Sequence, residues 1–366
     1  MRKLIIFIFL IFYGCAIDQP ISGNEQSNAP IQVTSFGTES SLDIITWNIE
    51  HFPKNGNITV NAMINIIRDL NVEILALQEI EGSASFNDLI ASLECSEVQS
   101  NAFGDCDQSL GWANTENGCE EIIGCDNYNS SINLYSNLDE CNDVCTAVWE
   151  GFRANSASYS MNLAYLYNSS KITVNSIYEL FSNDWWSFPR SPLVLEFNYE
   201  NQDVVIINNH FKCCDGSEDR RQSATNLLQQ YILDEFNDKR VIIVGDLNDE
   251  LTDPEEDNVF WNFISAPDEY LFVDMEIANG LPEYFSHLGG SHLDHILVTN
   301  ELFDHIGAVN TILYDTELID GWYEYEAYIS DHRPVYVSIA CMTEYDECNE
   351  CDGNLTNTEE CDMEFI

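Results

Sequence analysis

A chain of 366 residues, 45% hydrophobic and 12% aromatic, can bury a large core, which excludes a disordered chain. Its 63 acidic against 13 basic residues give a formal net charge of −50, which also excludes a general basic surface for nucleic acid. An anionic substrate has to be drawn in locally or through bound cations, while the acidic surface itself fits solubility or salty water.

Arg2 and Lys3 open the chain, followed by an apolar run from Leu4 to Tyr13 and then Gly14-Cys15. Residues 1–15 read as an export signal, too short to span a membrane as a mature helix. Gly14-Cys15 also resembles a lipoprotein cleavage site, so a lipid on Cys15 at the bacterial cell surface or periplasm and simple secretion both stay open. Residues 16–40 are polar and read as a tether. Thirteen cysteines in an exported chain imply disulfides rather than a thiol enzyme.

The folded domain is expected over residues 41–341. Leu42 to Ile49 reads as a strand ending in Asn48 and Glu50, and a helix with a buried stripe follows from about Val60 to Leu70. Val72 to Ile80 reads as a second buried strand, ending on Gln78-Glu79. Residues 92–149 turn to Asn, Asp, Gly, Ser and Cys and read as a disulfide-stapled insertion, with a second Cys-rich, acidic stretch over residues 342–366. Cys348 and Cys351 form a C-x-x-C, but without a second pair or a His cluster zinc is the weaker reading.

Strands resume at Leu163–Asn168, Ile172–Leu180, Leu193–Tyr199 and Asp203–His210, where turn residues such as Asn168-Ser169-Ser170 and Glu200-Asn201 predict antiparallel hairpins. An amphipathic helix over Asp219–Phe236 leads into RVIIVGDLN, Arg240–Asn248, whose β-branched run reads as a buried central strand. Asp246 and Asn248 lie two positions apart, so an extended backbone would aim both side chains off the strand's C-terminal end. Leu293–Thr299 and Pro334–Ala340 complete the strands, and the whole pattern favours an α/β sandwich of two packed sheets.

The strand ends together supply Asn48, Glu79, His210, Asp246, Asn248, Asp294, Asp331 and His332. Oxygen donors without thiolates suit Mg²⁺, with Mn²⁺ or Ca²⁺ as alternatives, and two histidines can move protons around such an ion. Hydrolysis of a phosphate ester needs that mixture. The motifs WN (47–48), QE (78–79), NNH (208–210), GDLN (245–248), LDHI (293–296) and SDH (330–332) resemble, in their order, the endonuclease/exonuclease/phosphatase superfamily, deoxyribonuclease I-like members in particular.

That resemblance implies a four-layer sandwich of two packed, mostly antiparallel sheets flanked by helices, and a secreted metal-dependent phosphodiesterase acting on nucleic acid, with no stable protein partner. It implies Mg²⁺ on Glu79 with Asn48 and Asp331 close by, and His332 oriented by Asp294. Asp246 and Asn248 align water and phosphate, and His210 stands near the leaving oxygen. Whether Asp246 or His332 takes the water's proton stays open. Tyr159 and Arg190 are implied as phosphate contacts, and Lys212, Arg220 and Arg221 form a cationic patch just past His210. Two departures weigh against duplex cleavage of the deoxyribonuclease I kind: Met161 stands where a glutamate orients the first histidine, and Glu81 where an arginine enters the minor groove. The alternatives are a phosphatase or sphingomyelinase-like phospholipase of the same fold, or a catalytically silent surface protein. His51, His287, His292, His295 and His305 read as surface or supporting residues, and Trp185-Trp186 as core packing, a lid, or a stacking pair for a base or sugar. Cys213-Cys214 reads as two structural cysteines bridging elsewhere.

Overall fold

The computed structural model describes residues 37, 41–93, 148–287 and 289–342, together with the backbone of 109–115 and 118–123. The expected export signal, the tether, most of the cysteine-rich insertion and the acidic tail lie outside the described residues. No helix among the described residues is long and apolar enough to cross a membrane.

Among the described residues fourteen strands run in chain order as β1 (Ser41–Phe52), β2 (Ile74–Ile80), β3 (Ser109–Thr115), β4 (Gly118–Ile123), β5 (Trp149–Arg153), β6 (Asn162–Asn168) and β7 (Thr173–Glu179), then β8 (Leu193–Tyr199), β9 (Gln202–His210), β10 (Arg240–Asp246), β11 (Tyr270–Phe272), β12 (Asp294–Thr299), β13 (Ile306–Thr311) and β14 (Val335–Ala340). Two six-stranded sheets form, ordered β13-β14-β1-β2-β6-β5 and β11-β12-β10-β9-β8-β7. Each is mixed, with one parallel pair near its centre, β1 with β2 and β9 with β10. The remaining pairings in both sheets are antiparallel, as the sequence predicts.

Strand alternation sorts the core into layers. Ile242 and Val244 of β10 join Ile206, Leu195 and Ile296 in a cluster that also holds Ile44, Ala76, Tyr165 and Val337 of the first sheet, so it fills the space between the sheets. Val241 and Ile243 point the other way, where Val205, Ile207 and Leu297 meet Ala224, Leu228 and Ile232 of helix α3 (Glu218–Glu235). Helices α1 (Asn57–Leu70) and α2 (Ser83–Leu93) accompany the first sheet, and α2 packs on β5 so closely that a Cβ at Gly151 would meet Ile90 and Phe86.

Two expectations are revised. The turn at Asn168-Ser169-Ser170 is not a hairpin: β6 belongs to the first sheet and β7 to the second, so this turn carries the chain across the sandwich. Strand β10 ends at Asp246, and Asn248 takes a left-handed φ of +55 instead of an extended one, its N–H donating to Asp246 Oδ1 at 3.1 Å. A side chain–backbone turn of this kind keeps Asp246 and Asn248 together without extension.

Candidate active site

Six strand ends converge at one rim of the sandwich. Within the second sheet the register sets Asp246 beside His210 on one side and Asp294 on the other, a single row of titratable groups. The preceding Gly245 has φ +143, and a Cβ there would stand 2.0 Å from the Asn209 carbonyl oxygen, so only glycine permits this close approach of β9 and β10. Across the cleft, Asn48 pairs with Gln78, and a bulge then turns Glu79 into a left-handed conformation at φ +62. Buried polar bolts fix the two halves: Gln78 Nε2 donates to Asn208 Oδ1 at 2.8 Å, while Asn208 Nδ2 donates to the carbonyls of Leu77 and Ala164.

Asp246 is the hub. Its Oδ2 accepts from Asn48 Nδ2 at 2.9 Å and lies 3.4 Å from His210 Nε2 and 3.9 Å from His332 Nε2. Glu79 Oε1 lies 3.4 Å from Asn48 Nδ2 and 3.8 Å from His210 Nε2. On the other flank His332 Nδ1 is 2.6 Å from Asp294 Oδ2, and its Nε2 is 3.9 Å from Asp331 Oδ1. The His332 carbonyl receives Trp47 Nε1–H and the Tyr325 hydroxyl, both at 2.9 Å, which pins the backbone that carries the imidazole.

Burial and neighbouring charge divide the protonation states. Burial pushes the Asp246 carboxyl up to about 7, with Asp294 and Glu79 adding to the rise while His332 and Asn48 oppose it. Burial alone would lower His332, but the carboxylates of Asp294 and Asp246 outweigh it and raise the imidazole to about 10. Asp294, desolvated yet facing that imidazolium, is held below the usual carboxylate range. His210 goes the other way: burial, then Arg190, His332 and Lys212, drive it well below the ordinary imidazole value. Its Nδ1 has no partner among the described residues, consistent with Met161 standing where the resemblance expects an orienting glutamate. The Met161 sulfur instead receives Arg190 Nη2–H at 2.9 Å, and Arg190 Nη1 donates to the Phe211 carbonyl at 3.2 Å.

A family model described as the Endonuclease/Exonuclease/phosphatase family matches residues 45–332. The chain belongs to this family. Among solved structures it is similar to zebrafish (D. rerio) TDP2 complexed with single-strand DNA product, at 14% identity and a TM-score of 0.53, covering 82% of this chain and 99% of that one. It is also similar to the human Nocturnin catalytic domain with bound sulfate, at 14% identity and a TM-score of 0.52, covering 82% and 94%. A family protein from Bacteroides thetaiotaomicron gives 13% identity and a TM-score of 0.51, covering 82% and 98%. At these identities the likeness establishes the fold, and no curated protein matches.

Members of the endonuclease/exonuclease/phosphatase family are phosphoester hydrolases that typically use a divalent metal, and the donors here fit one. Asp246, Asp294 and Asp331 gather around the imidazolium of His332, with Glu79 3.8 Å from His210 on the facing side, an excess of anionic oxygens that a hard cation offsets. Buried atoms with no partner among the described residues include Arg190 Nε, His210 Nδ1 and Asp294 Oδ1, all bordering the cleft, as expected where a polar ligand completes the bonding. Glu79 would hold such an ion. Asn48 uses one lone pair of its amide oxygen on the Glu50 N–H at 3.0 Å, which leaves a second for a metal.

Not every residue expected at the substrate edge is free to act there. Arg221 is buried and fully engaged: Nε on Asp249 Oδ2 at 2.8 Å and Nη1 on the carbonyls of Lys212 and Cys214. The structure therefore gives Arg221 the task of shaping the loop after His210, in place of a phosphate contact. Lys212 reaches the Cys213 carbonyl and sulfur, at 3.2 and 3.3 Å. Neither Cys213 nor Cys214 bridges elsewhere; both are free, with sulfurs 2.7 Å apart. Tyr159 lies in the turn Ser158–Ser160, and its side chain is outside the described residues.

Three histidines treated as surface or supporting residues matter more than the sequence suggests. His287 packs its ring 4.8 Å from that of His332, with Nε2 4.0 Å from Asp331 Oδ2. Its Nδ1 accepts the Gly289 N–H at 3.1 Å, so the neutral ring carries its proton on Nε2, aimed into the cleft. His295 is wholly buried, with Nδ1 2.7 Å from Asp274 Oδ2 and Nε2 2.8 Å from the Asp249 carbonyl. Two acceptors require two N–H groups, so His295 is an imidazolium paired with Asp274, and it clamps the backbone just beyond Asn248. His292 completes this cluster at 3.1 Å from the same Asp274 oxygen, accepting the Ser286 N–H on its other nitrogen. Every ring nitrogen is spent, so this cluster is structural rather than a metal centre. Only their approach in space could reveal these roles, because Asp249, Asp274 and Asp331 are remote in sequence.

Proposed function

We propose that the protein is a metal-dependent phosphodiesterase that hydrolyses nucleic-acid phosphodiester bonds. One observation carries this reading: Asp246 Oδ2 receives Asn48 Nδ2–H at 2.9 Å on the Glu79 side of the cleft and lies 3.4 Å from His210 Nε2 and 3.9 Å from His332 Nε2. Asp246 therefore takes the water's proton, since His332, raised to about 10, already holds one. His332 and Arg190 offset the charge on the phosphate, and Asn248, fixed by its turn onto Asp246, aligns it. His210 remains neutral and offers a ring N–H near the leaving oxygen. A divalent cation held by Glu79, with Asn48 and Asp331 beside it, would withdraw charge from the phosphate oxygens.

Support for a nucleic-acid substrate comes from Lys212 and Arg220 beyond His210, and from the fold shared with a protein solved with single-strand DNA product. Glu81, 2.6 Å from the exposed His51, adds negative charge at the mouth and disfavours the minor groove of a duplex. The apolar leader and the thirteen cysteines support export and disulfides, with lipidation at Cys15 or free secretion as the two routes.

The test is turnover of plasmid, single-stranded DNA, RNA, sphingomyelin and inositol phosphates by the purified protein with Mg²⁺, with and without chelator. Cleavage of nucleic acid that chelator and Asp246→Asn both abolish is the expected result. Cleavage of a lipid or monoester while DNA and RNA survive selects the phospholipase or phosphatase alternative. Absence of turnover with any divalent metal identifies a silent scaffold.

A further inference from the structure

The loop between β7 and β8 holds two indoles in solvent, Trp185 at 72% exposure and Trp186 at 44%. Large apolar rings left in water are the informative departure from ordinary burial, and this loop is firmly anchored. Phe181 and Phe188 stack with centroids 5.0 Å apart, and Phe188 meets Phe211 at 6.2 Å. Asp184 accepts both the backbone N–H and the hydroxyl of Ser187, which also lies 3.0 Å from the Ser223 hydroxyl. Arg220 Nε donates to the Trp186 carbonyl and Nη2 to that of Trp185, with the guanidinium 6.0 Å from the Trp186 ring centroid.

The same loop reaches the catalytic rim. Arg190, four residues beyond Trp186, donates to the carbonyl of Phe211, the residue after His210. Four residues span at most about 14 Å, a distance that a short run of nucleotides covers. Lys212 and Arg220 stand along this edge among the carboxylates of Asp184, Glu218 and Asp219, so two of the chain's 13 cations lie beside its exposed aromatic faces.

We propose that Trp185 and Trp186 form a base-stacking subsite for single-stranded nucleic acid, with Arg220 and Lys212 taking the adjoining phosphates. The proposal rests on the phosphodiesterase reading above and names the substrate form that this site receives. Stacked bases are recognised through their faces, so the subsite is tolerant of sequence but requires an unpaired strand. A duplex, whose bases are covered by their neighbours, cannot use it.

Binding without turnover tests this. Anisotropy of a labelled oligothymidine eight-mer, with metal chelated, is compared with an eight-mer of equal charge whose central bases are replaced by abasic sites. The wild-type protein is expected to prefer the base-bearing strand by about tenfold or more. The double variant Trp185→Ala/Trp186→Ala should bind both strands alike, while Trp185→Phe/Trp186→Phe keeps most of the preference. Equal binding of the two strands by the wild type, or an undiminished preference in the alanine variant, overturns the proposal. So does loss of binding to phosphatidylcholine vesicles with oligonucleotide affinity untouched, since the indoles would then face lipid. Turnover of the same oligonucleotide under Mg²⁺ is read separately, so failure of the catalytic reading leaves the binding result intact.

Discussion

Replacing Asp294 by Asn examines the charge logic of the site with little change of shape. The carboxylate lies 2.6 Å from His332 Nδ1, both groups are buried, and it is the largest influence raising His332 to about 10 against the pull of burial. An amide can still accept the Nδ1–H but carries no charge, so burial is then opposed only by Asp246 and Asp331 and the imidazole drops from its raised value. At pH 8 each unit by which the imidazole falls below 8 cuts the cationic fraction of His332 about tenfold. Losing a charged donor to the phosphate is expected to lower kcat by about 10²- to 10³-fold. The assay is kcat and kcat/KM on a small phosphodiester from pH 5.5 to 9. Wild-type activity should rise as Asp246 ionises near 7 and hold to pH 9, whereas the variant's activity should fall again on the alkaline side as His332 loses its proton. An unchanged kcat, or a lowered kcat with the wild-type pH profile, would refute the imidazolium role.

Two further outcomes concern stability. Burial, reinforced by the nearby charge of Asp43, raises Glu73 to about 8, so the folded protein keeps a proton that the unfolded chain releases near 4.3. Stability is greatest below the unfolded value and is lost as pH climbs through about 8, by up to about 5 kcal/mol. Glu73→Gln retains the acceptor for the Asp43 N–H and should flatten that decline in urea unfolding at pH 5, 7 and 9; an unchanged slope contradicts the assignment. Gly245→Ala sets a Cβ 2.0 Å from the Asn209 carbonyl at φ +143, so β9 and β10 must part, at a cost of about 3 kcal/mol or more. A loss under about 1 kcal/mol in the same unfolding assay would show that the strands yield easily.

The one-dimensional sequence determined the strands and the chemistry at their ends. RVIIVGDLN became β10 because a β-branched run can bury both of its faces, and strand alternation then sent Ile242 and Val244 between the sheets and Val241 and Ile243 toward α3. The oxygen-rich donor set was equally legible, since residue type alone decides hard-cation preference. Helix α2 went unread although its buried Phe86, Leu89 and Leu93 stand at i, i+3 and i+7: three apolar positions in eleven residues are a short signal, and contact of Phe86 with β5 completes it only in the fold. The Asn168–Ser170 turn joins two sheets instead of closing a hairpin, because a tight turn does not encode which sheet receives the next strand.

Only the tertiary structure decided the states and duties of the charged groups. The raised Asp246 carboxyl and the raised His332 imidazole depend on burial and on partners up to 198 positions away, Asp294 lying 38 from His332 and Asn48 lying 198 from Asp246. Arg221 became a tether, and His295 a clamp on Asp249, because each found acceptors that the chain brings together only once both sheets have formed. Residue type fixes what a side chain is able to do, whereas desolvation and neighbouring charge, which exist only in the folded molecule, select what it does.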